Sequence, residues 1–240
     1  MTLLKVDNLE KSYSGRKVVA GLSFEVAPGE IVGLLGPNGA GKTTAFYMTV
    51  GLIKPDKGTV TFLDQDVSSF PMHKRAQMGM GYLAQEPSVF RNLTVEENIL
   101  SILENHEPDP SIRKARLEEL LDELHLKPLR DKKAAHLSGG ERRRLEITRA
   151  LVTHPKFLLL DEPFANIDPI SIHEVKELIR HLAKRNISVL ITDHNAREIF
   201  SVVDRSYIVC EGRVIRSGKP EMLQHDAEAK KYYLGENFTY

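Results

Sequence analysis

Ile31-Val32-Gly33-Leu34-Leu35-Gly36-Pro37-Asn38-Gly39-Ala40-Gly41-Lys42-Thr43 decides the fold. Ile31 to Leu35 is a compact apolar run that reads as a buried parallel strand. From Gly36 the chain follows the pattern glycine, four variable residues, Gly-Lys-Thr, set between that strand and a helix expected over Thr43 to Val50. In this pattern glycines let backbone N–H groups turn inward around phosphate oxygens, and the helix start adds its positive dipole end. The Lys42 ammonium can then reach the outer phosphates, and the Thr43 hydroxyl can serve Mg²⁺. A glycine-rich turn without a ligand explains neither the lysine nor the setting.

Upstream, Leu3 to Val26 alternates apolar and polar residues and breaks at Ala27-Pro28-Gly29, which predicts a strand and hairpin. Downstream, the helix stops at Gly51 and at a Pro55-Asp56-Lys57-Gly58 turn. Thr94-Val95-Glu96-Glu97 and Ser138-Gly139-Gly140-Glu141 each have capping-box form and each open a helix. Asp109-Pro110 starts another, with Leu117, Leu120, Leu121 and Leu124 in one stripe. The middle of the chain is therefore helical. Strands over Phe157 to Leu160 and Ser188 to Ile191 then alternate with helices around Ile172 to Leu182 and Ala196 to Val203. This rhythm predicts a mostly parallel sheet with helices on both faces, closed by a hairpin of Ser206 to Cys210 and Arg213 to Ser217.

Phe157-Leu158-Leu159-Leu160-Asp161-Glu162 ends an apolar strand in two carboxylates at the sheet edge where open α/β folds bind ligands. Asp161 suits Mg²⁺, directly or through water, and Glu162 can polarise an attacking water. A solvated acidic turn is the plainer reading. The phosphate loop in the same chain tells against it.

Composition narrows the partners. Lys plus Arg and Asp plus Glu are 33 each among 240 residues, so no global field draws the chain to nucleic acid or anionic lipid. Cys210 is the single cysteine, which excludes an internal disulfide and fits a reducing compartment. Met1 to Gly15 reads as a first strand, not a secretory signal. No stretch approaches the roughly 20 apolar residues of a membrane span, so a membrane role is expected only through partners.

With Leu137-Ser138-Gly139-Gly140-Glu141 the set of motifs resembles, in order and over the whole chain, the ATPase domain of ABC transporters. The resemblance implies an α/β fold with a P-loop NTPase (RecA-like) core, an N-terminal antiparallel β subdomain and an inserted α-helical subdomain. The core with its β subdomain falls at 1–85 and 154–240, the helical part at 86–153. It implies an ATPase that binds ATP and Mg²⁺ as a homodimer beside two transmembrane permease subunits, on the cytoplasmic face of the inner membrane.

Residue by residue, Tyr13 resembles the aromatic that stacks on adenine. Gly36, Asn38, Gly39, Ala40, Gly41, Lys42, Thr43 and Thr44 fall on the nucleotide-binding loop. Ser138, Gly139 and Gly140 fall on the signature that closes on the partner's nucleotide. Gln85 resembles the glutamine that contacts Mg²⁺, alongside Thr43 and Asp161, and the attacking water. His194 resembles the switch histidine at the γ-phosphate, and Glu162 the general base. Ala165-Asn166-Ile167-Asp168 fills the place of the dimer-contact loop, with Asn166 departing from its usual small residue.

Within the family, Phe46-Tyr47-Met48, Asp161 to Ile170, Thr192-Asp193-His194-Asn195 and Tyr233-Leu234-Gly235-Glu236 resemble the ATPases of lipopolysaccharide export in Gram-negative bacteria. The alternative is the ATPase of a branched-chain amino-acid importer, which shares the last of these endings. A soluble ATP-gated clamp would need a long coiled-coil insertion, and residues 86–136 hold no sustained heptads. Arg142-Arg143-Arg144 reads either as a solvated helix face or as a contact for an acidic partner. Phe90 reads either as a core aromatic or, with Arg91, as an anchor for a permease helix. The remaining histidines lack metal-ligand spacing.

Overall fold

The computed structural model describes residues 2–165 and 167–240. Strands β1 (Leu4–Tyr13) and β2 (Arg16–Val26) form an antiparallel hairpin, with Leu4 opposite Val26 and Tyr13 opposite Arg16. β3 (Ile31–Leu35) leads through the glycine loop into α1 (Lys42–Val50). Then follow β4 (Lys57–Phe62), β5 (Gln65–Asp66), α2 (Met72–Gln77) and β6 (Met80–Leu83). The helical stretch comprises α3 (Val95–His106), α4 (Pro110–Glu123) and α5 (Gly139–Leu151). β7 (Phe157–Asp161), α6 (Pro169–Lys184), β8 (Ser188–Thr192), α7 (Ala196–Phe200), β9 (Arg205–Cys210) and β10 (Arg213–Gly218) complete the alternating part.

Two sheets result. One is antiparallel, in the order β2-β1-β4-β5, and the other runs β10-β9-β3-β8-β7-β6. In the second, β9, β3, β8, β7 and β6 are mutually parallel and β10 alone is antiparallel, at the edge.

The continuous apolar runs of β3, β7 and β8 follow from burial on both faces. Ile31, Leu35, Leu158, Leu160, Val189 and Ile191 pack into a core shared with the helical stretch and α6. Their alternates Val32, Leu34, Phe157, Leu159 and Leu190 pack into a second core under α1 and the antiparallel sheet. Side chains alternate across a strand, so a strand sandwiched between two cores has no polar face to show.

Both capping boxes form. Thr94 accepts from the Glu97 amide while Glu97 reaches back to Thr94, and Ser138 and Glu141 do the same. Asp109 caps α4, whose Leu117, Leu120 and Leu121 are buried together with Leu124 just past its end, each such side chain contributing about 1.5–3 kcal/mol.

Three details depart from the sequence reading. Lys57 and Gly58 open β4 and are not part of a turn, because β1 offers a pairing edge to them. α7 stops at Phe200, short of Val203. The segment of β4 to β6 with α2 carries no clear period, and tertiary bonds hold it instead. Arg75 of α2 is 1% exposed and donates to the carbonyls of Met48 (2.9 Å), Thr49 (2.6 Å), Phe70 (2.9 Å) and Ser68 (3.3 Å). It thereby satisfies the open carbonyls at the end of α1. Burial lowers its pKa to about 10.

Candidate nucleotide-binding and catalytic site

β3 delivers the glycine loop from the centre of the parallel sheet, between β8 and β9. Gly36 has φ +151°, and a Cβ there would lie 2.1 Å from the Val209 carbonyl oxygen. Gly41 has φ +97°, and a Cβ there would meet the Val18 carbonyl oxygen at 2.6 Å. Both positions therefore demand glycine on steric grounds, independently of any ligand. Gly41 is the residue before α1 and offers no side-chain cap, and the first turn of α1 contains no acidic residue. Its N–H groups and its positive dipole end remain available to an anion.

Lys42 curls back over the loop, its Nζ donating to the carbonyls of Gly36 (2.7 Å) and Pro37 (2.9 Å). Burial pushes its pKa down, and the charges of Glu162, Asp161 and Asp193 work the other way. A cleft of about 670 Å³ adjoins the loop, lined by Pro37, Asn38, Gly39 and Ala40 together with Arg16, Lys17, Val18, Cys210 and Glu211. The last five carry no motif, and β2 and the end of β9 bring them there only in the fold. Tyr13 is 44% exposed at the tip of β1, opposite Arg16 in the hairpin but not itself lining the cleft.

β7 and β8 bring the acidic residues together. Asp161, at the end of β7, is 5% exposed and accepts the Thr192 hydroxyl at Oδ1 (2.6 Å). Burial raises its pKa. Glu162 follows in the left-handed region at φ +44°, with its amide donating to the Thr192 carbonyl (2.8 Å). A non-glycine residue held there costs energy, and such strain concentrates at functional sites. The twist turns the carboxylate toward two neighbours: Gln85 Nε2 donates to Oε2 at 2.9 Å, and His194 Nδ1 lies 3.5 Å from the same oxygen. Asp193 is buried, accepts from the amides of Asn195 (2.9 Å) and Phe164 (3.4 Å), and has its pKa raised by burial.

The fold thus brings Gln85 and His194 within hydrogen-bonding or ion-pair range of one Glu162 oxygen. The signature stands apart from the glycine loop. Ser138 caps α5 and Gly140 is buried against Ser171, while Gly139 lines a separate cleft with Gln85, Glu86, Glu162 and Arg143. Asp168 caps α6 by accepting from the Ile170 and Ser171 amides. Asn166 lies outside the described residues.

The arginine run is not a solvated face. Arg143 is 6% exposed and paired with Glu146, Arg144 pairs with Glu174 at 3.3 Å, and Arg142 donates to the Leu137 carbonyl at 3.2 Å. Helix α5 thus sets Arg143 against the Ala84 carbonyl of the Gln85 loop and Arg144 against α6, contacts that no local pattern announces. Phe90 is 51% exposed beneath the Arg149 guanidinium, 5.0 Å from ring centre to charge, so it is not a core aromatic.

A phosphate-gripping loop on a parallel sheet, an adjoining pair of carboxylates and a separate signature helix define the ATP-binding cassette. The chain belongs to the ABC transporter family, whose sequence profile matches residues 19–165, and it is an ATP-binding ATPase subunit of that family. It is similar to the lipopolysaccharide export system ATP-binding protein LptB of Acidithiobacillus ferridurans, 54% identical over 98% of each chain. The protein of the same name from Haemophilus influenzae is 52% identical over 99% of each chain. Among solved structures, an ABC-transporter ATP-binding cassette in its ADP conformation superposes with a TM-score of 0.88, at 29% identity and over 98% of this chain and 100% of that one.

Proposed function

We propose that the chain is the ATPase of a lipopolysaccharide exporter, powering extraction from the inner membrane and passage toward the outer membrane through transmembrane partners. The observation that carries this reading is full-length similarity at 54% to a protein named for that system. The amino-acid importer alternative has no comparable support. Members of the family work as dimers with transmembrane partners. Among the described residues, no helix is long and apolar enough to cross a membrane, in keeping with a subunit held at the inner membrane by its permeases.

At the site, the amides of residues 38–44 and the Lys42 ammonium bind the phosphates, and Tyr13 with the Arg16–Val18 strand holds the base side. The oxygens of Thr43, Asp161 and Gln85 form an all-oxygen donor set that fits Mg²⁺, and burial of Asp161 makes a cation there favourable. Mg²⁺ so held would neutralise charge on the phosphates. Among the described residues no group of three or more His, Cys, Asp or Glu is arranged for a metal, so water and phosphate oxygens must complete its coordination.

Glu162 accepts the proton of the attacking water, Gln85 orients that carboxylate, and His194 stands beside it at the γ-phosphate. Ser138, Gly139 and Gly140 complete the partner's site, offering it a second helix start. The division into a core of 1–85 and 154–240 and a helical part of 86–153 gives the closure its two bodies. The permeases dock near Gln85, Phe90 and Arg91.

The test is reconstitution. The tagged chain should copurify with two permease subunits, and the complex in proteoliposomes should release lipopolysaccharide only with ATP and Mg²⁺. Copurification with an amino-acid permease pair would overturn the assignment.

A further inference from the structure

Three side chains spaced along one face of α5 grip the loop that carries Gln85. Arg143 Nη1 donates to the Ala84 carbonyl at 3.3 Å, on one flank of Gln85. On the other flank, Glu146 Oε1 accepts the Ser88 amide at 3.0 Å and Arg149 Nη1 donates to the Ser88 carbonyl at 2.6 Å. Arg143 and Glu146 are themselves joined, Nη1 to Oε2, at 2.9 Å, and each is 6% exposed. Between these fixed points Gln85, Glu86 and Pro87 are exposed, and Gln85 reaches Glu162.

A buried ion pair is a poor device for stability, because desolvation consumes most of its Coulomb energy. This one is also imperfect: Arg143 Nε and Nη2 are buried with no hydrogen-bond partner among the described residues. What the pair supplies is direction. One guanidinium that can only donate and one carboxylate that can only accept are fixed against each other, and each meets the loop with the complementary backbone group.

We propose that Arg143 and Glu146 are positioning residues that hold Gln85 over Glu162 and couple it to the helix that begins with the signature. The inference rests on the proposed role of Glu162 and on the signature serving the partner's site. Because α5 is continuous from Ser138 to the grip, displacement of the signature moves Ala84 and Ser88, and with them the amide that orients the carboxylate. Each site then senses whether its neighbour has closed.

The discriminating variant is the charge swap Arg143→Glu with Glu146→Arg, made in the full chain and assayed in the assembled transporter. The swap rebuilds the ion pair but offers a carboxylate to the Ala84 carbonyl and a guanidinium to the Ser88 amide, neither of which can bond. The expected result is a melting temperature near that of the parent and faster amide exchange over residues 84–90. The KM for ATP should stay within about twofold while kcat falls about tenfold or more. If the swapped chain does not fold, the apolar pair Arg143→Met with Glu146→Leu carries the same expectations. Glu162→Gln is measured in parallel. A kcat within about twofold of the parent in either folded variant, with Glu162→Gln inactive, overturns the proposal. Normal turnover by Glu162→Gln would instead overturn the site reading on which it stands.

Discussion

The Tyr233 hydroxyl donates to the backbone carbonyl of His194 at 3.1 Å, tying the C-terminal segment to the loop that holds His194 beside Glu162. Burial, with the nearby Asp193 charge, raises the Tyr233 pKa, so its proton stays in place across the physiological range. Tyr233→Phe keeps the ring and removes the bond, a loss of about 1 kcal/mol at most to the loop. We expect kcat to fall up to about fivefold with the KM for ATP little changed. Steady-state ATPase kinetics check this, and a change confined to KM would contradict it.

Glu162→Gln retains the shape of the side chain and removes its basicity. ATP binding should persist while steady-state turnover drops by about 100-fold or more, leaving two subunits held together by unhydrolysed ATP. Size-exclusion chromatography with and without ATP reads the second effect. Turnover within about threefold of the parent, a barrier change of roughly 0.7 kcal/mol, would remove Glu162 from the role of general base.

Asp161 gives a pH signature with a defined sign. Burial raises its folded pKa above the unfolded value, so the folded state holds the proton more tightly. Its contribution to stability is therefore most favourable below the unfolded pKa and is lost as pH rises through the folded one. Asp161→Asn, still able to accept from Thr192, should melt above the parent at neutral pH in the absence of nucleotide. The difference should close below about pH 4. Activity should be lost at every pH. Thermal melts across that range decide the point, and a variant that melts lower than the parent at neutral pH would refute it.

Phe90 is exposed, so its removal opens no core cavity. Phe90→Ala should change the stability of the lone subunit by less than about 0.5 kcal/mol while weakening assembly with the permeases. A loss of about 3–5 kcal/mol would return the residue to the core. Normal assembly and transport would exclude it as an anchor.

How much of this was legible depends on how local each cause is. The glycine loop, the two capping boxes and the Asp109 cap are set by residues within a turn of one another, and they stand where the pattern placed them. The paired carboxylates were visible at the end of an apolar strand. The twist of Glu162 to φ +44° was not, because the Thr192 carbonyl that holds its amide belongs to another strand. Arg143 read as a solvated face or a partner contact, and Arg75 drew no reading, because burial of a cation depends on carbonyls far away in sequence.

The sequence by itself determined the phosphate loop, the alternation of strands and helices and the family, since the Gly-x-x-x-x-Gly-Lys-Thr spacing and the hydrophobic period are properties of short stretches. Only the tertiary structure decided which side chains meet. Gln85 and His194 converge on one oxygen of Glu162 because β6, β7 and β8 are neighbours in the sheet. Strand order is fixed by the burial of two whole cores, a sum over the entire chain that no single segment contains.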